Sequence, residues 1–150
     1  MKMSKTRLFV SKKLSANILI YIKNKQHHFL KNVLRIKKED SINLFDGFTG
    51  EWLSKVISIN RDNIVLQIQN KLREFRQESD LWLIFAPIKS YRMNITIQKA
   101  TELGISRFIP ILTEYTNQSK INFKNFELNM IEASEPVSYT HLTLPTRIFV

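Results

Sequence analysis

Residues 81–117 constrain this chain most: LWLIFAPIKSYRMNITIQKATELGISRFIPILTEYTN. Residues 81–86 are a compact apolar run closed by Pro87, the pattern of a strand buried on both faces. Met93, Ile97, Ala100 and Leu103 then recur at helical spacing, and Gly104 stands at the C-cap position. Residues 108–112 return as a second apolar run. Strand, helix and strand of these lengths predict a right-handed βαβ crossover in a parallel sheet. Taken alone, residues 98–104 (QKATELG) are an ordinary helix end.

The segment before it has a different grain. Residues 8–10 and 18–22 are short apolar or β-branched runs. Residues 26–34 predict one short helix, with Phe29, Leu30, Val33 and Leu34 on a face. Residues 41–45 alternate, a Gly-containing turn follows Asp46 and Gly47, and residues 51–59 pair back as a hairpin. Ile64, Leu66 and Ile68 share one face of a further strand. Short strands at close spacing with one helix predict a small closed barrel over residues 1–72. Residues 73–80 (REFRQESD) are charged and aperiodic, the natural linker. Phe126, Met130 and Ala133 fall on one stripe of a helix over residues 123–133. The expected fold class is therefore mixed α+β and α/β, a β-rich first domain followed by a βαβ unit from residue 81.

Charge narrows the function. The 150 residues carry a net charge of +10, and residues 1–38 hold eleven Lys or Arg and no acid. A field of one sign attracts polyanions, with phosphate contacts giving salt-dependent affinity. The alternative is a solvated, Lys-rich surface. The candidate phosphate contacts are Arg7, Lys12, Lys13, Lys31, Arg35, Lys37 and Lys38. Lys89 and Arg92 join them because they follow a strand's carboxyl end, where open α/β sheets place ligands. His28 is expected to be structural, and Trp52 and Trp82 are expected in the core. The absence of Cys excludes a disulfide framework and a thiolate metal site. No apolar run approaches a membrane span, and the basic N-terminus lacks an apolar export core. A cytoplasmic location, no metal and no membrane partner are the resulting expectations.

Several motifs occur in a telling order. Arg7, Phe9 and Val10 open the chain; His28 leads to Val33, Leu34 and Arg35; Phe45, Asp46 and Gly47 precede Gly50 and Glu51. Then come Lys89, Gln98, Lys99, Glu102, Leu103, Gly104, Pro110, Thr113 and Thr116. Over roughly residues 7–135 the chain resembles the ribosomal RNA small subunit methyltransferase E family of the knotted SPOUT superfamily. Two departures stand out: Glu39 replaces a usual Gly, and Tyr115 replaces a usual Arg.

The resemblance implies a PUA-like RNA-binding barrel at 1–72 and the first part of an α/β-knot methyltransferase domain at 81–135. It implies methylation of N3 of a uridine in 16S rRNA, within the small ribosomal subunit, with S-adenosylmethionine as donor and a homodimer as the intact state. Such chemistry needs an in-line methyl group, a weakened N3–H and an unstacked base. The family's Gly-Pro-Glu-Gly and Leu-Arg-x-Glu-Thr-Ala knot segments, which hold the donor, do not occur in this sequence. The expectation is a C-terminally truncated chain without donor-binding or catalytic residues of its own. Residues 137–146 (VSYTHLTLPT) resemble a translated transposase-type sequencing adapter, so 136–150 is expected to be non-native. Without Arg147 the charge is +9. A stand-alone, non-catalytic RNA-binding module is the competing reading.

Overall fold

The computed structural model describes residues 3–76, 80–116 and 121–135. The adapter-like tail at 136–150 and part of the expected linker, 77–79, lie outside the described residues. Two compact units emerge, Met1–Phe75 and Arg76–Val150.

In the first unit, β1 (Met3–Phe9), β2 (Leu19–Ile22), β3 (Ser41–Phe45), β4 (Glu51–Ile59) and β5 (Ile64–Arg73) form one sheet in the order β1-β3-β4-β5-β2. Alternation dictates it: Ile64, Leu66 and Ile68 of β5 are buried, while Val65 and Gln67 between them are half-buried. β3 lies antiparallel to β4 but parallel to β1. Leu8, Ile20, Ile42, Leu44 and Val56 close over the buried face. Each such side chain contributes roughly 1.5–3 kcal/mol on leaving water. The structure shows a five-stranded mixed sheet where the spacing of the strands predicts a closed barrel.

The predicted helix at 26–34 starts earlier. α1 (Asn24–His28) continues into a wider π-helical turn, Phe29–Val33, with Leu34 N–H reaching Phe29 O at 3.0 Å. The widening turns only Leu30 fully inward; Phe29, Val33 and Leu34 remain exposed.

In the second unit, β6 (Trp82–Phe85) and β7 (Arg107–Pro110) pair in parallel, joined by α2 (Ser90–Glu102). α2 ends in a Schellman motif: Gly104 N–H bonds Thr101 O and Ile105 N–H bonds Ala100 O, both at 3.0 Å. Gly104 has φ of 86°, which a Cβ would disfavour. α3 (Phe123–Ser134) is capped by Asn122, whose side chain accepts from Asn125 N–H at 3.1 Å. Phe126 and Met130 meet Met93, Ile97 and Phe108 in a second core. Phe126 stands edge-on to Phe108 at 5.5 Å between ring centroids.

Three burial expectations are corrected here. β6 is not buried on both faces: Trp82 and Ile84 are 45% and 58% exposed, while Leu83 and Phe85 pack on the core. The described sheet has two strands, and both helices that are packed with it meet the Leu83–Phe85 face. Trp82 is consequently not core; it lies under Arg107, 4.6 Å from its ring, and its indole N–H donates to Asp80. Leu103, at helical spacing with Ala100, is 77% exposed because the chain leaves the helix there.

Candidate nucleic-acid interface

The parallel pairing of β1 with β3 organises the basic residues. Phe9 lies opposite Phe45, so both strands end together and the chain leaves them on one side. Val10 N–H bonds Phe45 O at 2.9 Å. Asp46 then ties the two exits into one structure. Its Oδ2 accepts Leu14 N–H at 2.8 Å and the Thr49 hydroxyl at 2.7 Å. Its Oδ1 accepts Phe48 N–H at 2.9 Å and Thr49 N–H at 2.7 Å. The Trp52 indole N–H donates to Thr49 Oγ1 at 2.9 Å, anchoring the turn to β4. Asp46 is 1% exposed. Burial pushes its carboxyl up, but the bonds from Thr49, Leu14 and Phe48 outweigh burial and hold it below the ordinary carboxylate value. Lys12 and Lys13 are exposed on the loop so fixed, and Phe48 is 72% exposed on the turn beside it.

The other cations collect at the opposite end of β3. β4 runs antiparallel to β3, so the turn after β4 lies where β3 begins. Lys31 Nζ donates to Asn60 O in that turn at 3.2 Å, and His27 Nε2 approaches the same oxygen at 3.3 Å. Asp40 closes the loop before β3, accepting Lys37 N–H at 2.7 Å. Arg35 and Glu39 bracket this loop with φ of 51° and 76°. Arg35, Lys37 and Lys38 are exposed there. Glu39 pairs with Lys55, and that hydrogen bond lowers its carboxyl below the ordinary value. The single predicted cluster is thus two groups, about 13 Å apart along the four residue steps of β3.

Arg7, expected among the phosphate contacts, sits apart from both. Its side chain is 10% exposed, its Nε lies 3.2 Å from Glu51, and its guanidinium lies 4.6 Å from the Phe45 ring centroid. Glu51 is itself buried and accepts from Asn43 Nδ2 at 2.8 Å. A buried carboxylate demands a partner, and Arg7 is that partner. His28 is exposed, and His27 makes the turn contact instead.

In the second unit, Lys89 and Arg92 are exposed at the start of α2, just past the carboxyl end of β6. Gln98, Lys99 and Glu102 form a local network on α2: Glu102 accepts from Gln98 at 2.9 Å and from Lys99 at 2.8 Å. These bonds, Lys99 foremost, lower the Glu102 carboxyl. Thr113 and Thr116 close a turn on each other, and Tyr115 stands 86% exposed at its tip.

The chain matches two domain families. Residues 22–69 match the RNA methyltransferase PUA domain, and residues 76–135 match the RNA methyltransferase domain. The ribosomal RNA small subunit methyltransferase E of Rickettsia conorii is 31% identical over 134 residues, covering 89% of this chain and 55% of that protein. Over most of its length the chain resembles the ribosomal RNA small subunit methyltransferase E family. A member from Buchnera aphidicola of Schizaphis graminum is 29% identical, over 88% of this chain and 58% of its own length. The chain thus spans about half the length of the curated relatives that it matches. Among solved structures, a methyltransferase from Legionella pneumophila in complex with SAM superposes with a TM-score of 0.85 at 20% identity, over 100% of this chain and 64% of that one. The family member from Neisseria gonorrhoeae, bound to S-adenosyl methionine, gives 0.80 at 20% identity, over 98% and 62%. At that identity the two structures show a shared fold.

A methyl donor of that kind carries a carboxylate, a sulfonium and an adenine. Two grooves of the second unit run between α2 and α3. One is lined by Ser90, Asn94 and Asn125 among others, the other by Tyr91, Gln98 and Glu132. Neither brings a cation to the donor's carboxylate. These two grooves do not by themselves fit the donor.

Proposed function

We propose that this chain is the RNA-engaging part of an S-adenosylmethionine-dependent methyltransferase acting on N3 of a uridine in 16S rRNA. The observation that carries the reading is the succession, in one chain, of an RNA methyltransferase PUA domain and an RNA methyltransferase domain. In this reading the five-stranded sheet is a PUA-like barrel spanning 1–72, and 81–135 begins the knotted domain. Lys12, Lys13, Lys31, Arg35, Lys37 and Lys38 meet phosphates; Lys89 and Arg92 meet RNA from the second unit. Arg7 holds Glu51 and shapes the scaffold. The donor is held by segments that family members carry beyond the matched residues, and the intact protein is a homodimer working on the small subunit in the cytoplasm. No described helix is long and apolar enough to cross a membrane.

A non-catalytic RNA-binding module is the second reading. Extending the genomic reading frame past Glu135 separates the two. A continuation with a Gly-Pro-Glu-Gly segment supports the enzyme. Mass spectrometry of 16S rRNA from cells with and without the intact gene then tests the activity. Loss of one N3-methyluridine is expected on deletion; an unchanged methylation pattern would overturn the assignment.

A further inference from the structure

We propose that Phe48 is a stacking platform for one unpaired RNA base, with Lys12 and Lys13 holding the phosphates beside it; this rests on the RNA-binding reading above. The geometry is a built one. Parallel strands deliver both loops to one end of the sheet. One buried carboxylate, Asp46, bonds the backbone of Leu14 and that of Phe48. Thr49 and Trp52 lock the same turn from below. An aromatic ring at 72% exposure on so constrained a turn is presented from a backbone with little entropy left to lose. Every nucleobase has a π-face, so such a ring binds single strands without reading sequence, while adjacent ammonium groups follow the backbone. Phe48 shares its turn with Gly47 and Gly50, at φ of 77° and 103°. Gly50 leaves no room for a side chain: a Cβ there would lie 2.2 Å from Arg73 O. The turn is fixed on both sides of the ring it displays.

The test uses the full chain and a twelve-nucleotide single-stranded RNA carrying one 2-aminopurine, with a fully paired RNA duplex as comparison. Stacking on Phe48 quenches the 2-aminopurine. Phe48→Ala is expected to abolish the quenching and to weaken single-strand affinity about tenfold or more, with the salt slope unchanged. Phe48→Trp is expected to restore both. Lys12→Ala with Lys13→Ala is expected to lower the salt slope by about 1.5, a different signature. Unaltered affinity and quenching in Phe48→Ala would overturn the platform and leave the RNA-binding reading standing. Failure of the unaltered chain to bind either RNA would overturn both.

Discussion

Arg7 shows how a residue's charge can mislead until its neighbours are known. In sequence it belongs to a run of cations; in the structure it neutralises Glu51, the first residue of β4. Removing it leaves a buried carboxylate without its cation, a loss of roughly 3 kcal/mol or more. Arg7→Ala should therefore lower the urea midpoint of the first unit sharply, while Lys12→Ala should leave it unchanged. Equal midpoints for the two variants would return Arg7 to the surface set. Asp46 makes a pH-dependent contribution. Its folded-state carboxyl is held low, so its stabilisation is present above the ordinary carboxylate range and is lost as pH falls through the folded value. Urea titrations should show the unaltered chain losing its advantage over Asp46→Asn below about pH 4. A gap between the two that persists undiminished at low pH would contradict this. Glu39 stands where the family resemblance implies a Gly, and it adopts φ of 76°. Glu39→Gly relieves that backbone and removes only an exposed pair with Lys55, so its urea midpoint should equal or exceed the original. A clear drop would show that the pair matters more than the backbone.

Among elements, β3 and β4 were legible to the residue, because alternation and the Asp46–Gly47 turn agree with each other. The α2 terminus was equally legible, since Gly104 has one conformational role there. β6 was not. A run of apolar residues predicts burial on two faces, but burial depends on what else covers the sheet, and periodicity carries no such information. The π-helical turn after α1 was hidden for a similar reason: Leu34 looks core-facing until the helix widens. Phe48 was missed as a site because an aromatic in a turn signals nothing until its exposure is known. The one hint was its place between two glycines. Gly50 offers the sharpest check at this scale. Gly50→Ala places a methyl against Arg73 O, at φ of 103°, and should cost at least about 2 kcal/mol. A thermal melt indistinguishable from the original would mean that the β4–β5 approach is looser than described.

At the scale of the molecule, two units with separate cores share one chain, and the family match divides it near the same point. The motifs made the family legible in sequence, whereas the arrangement of the cations was not, because only the parallel β1–β3 pairing sends Lys12 and Lys13 to one end of β3 and Lys31 to Lys38 to the other. The central claim is that these two groups engage the phosphates of an RNA strand. It is tested most directly by the affinity of the full chain for a small-subunit rRNA fragment across a range of salt concentrations. Six cations at these positions predict a log–log slope of about −4 to −5. Changing all six to Ala should flatten it. A slope near zero in the unaltered chain, or the same slope in the six-fold variant, would contradict the account.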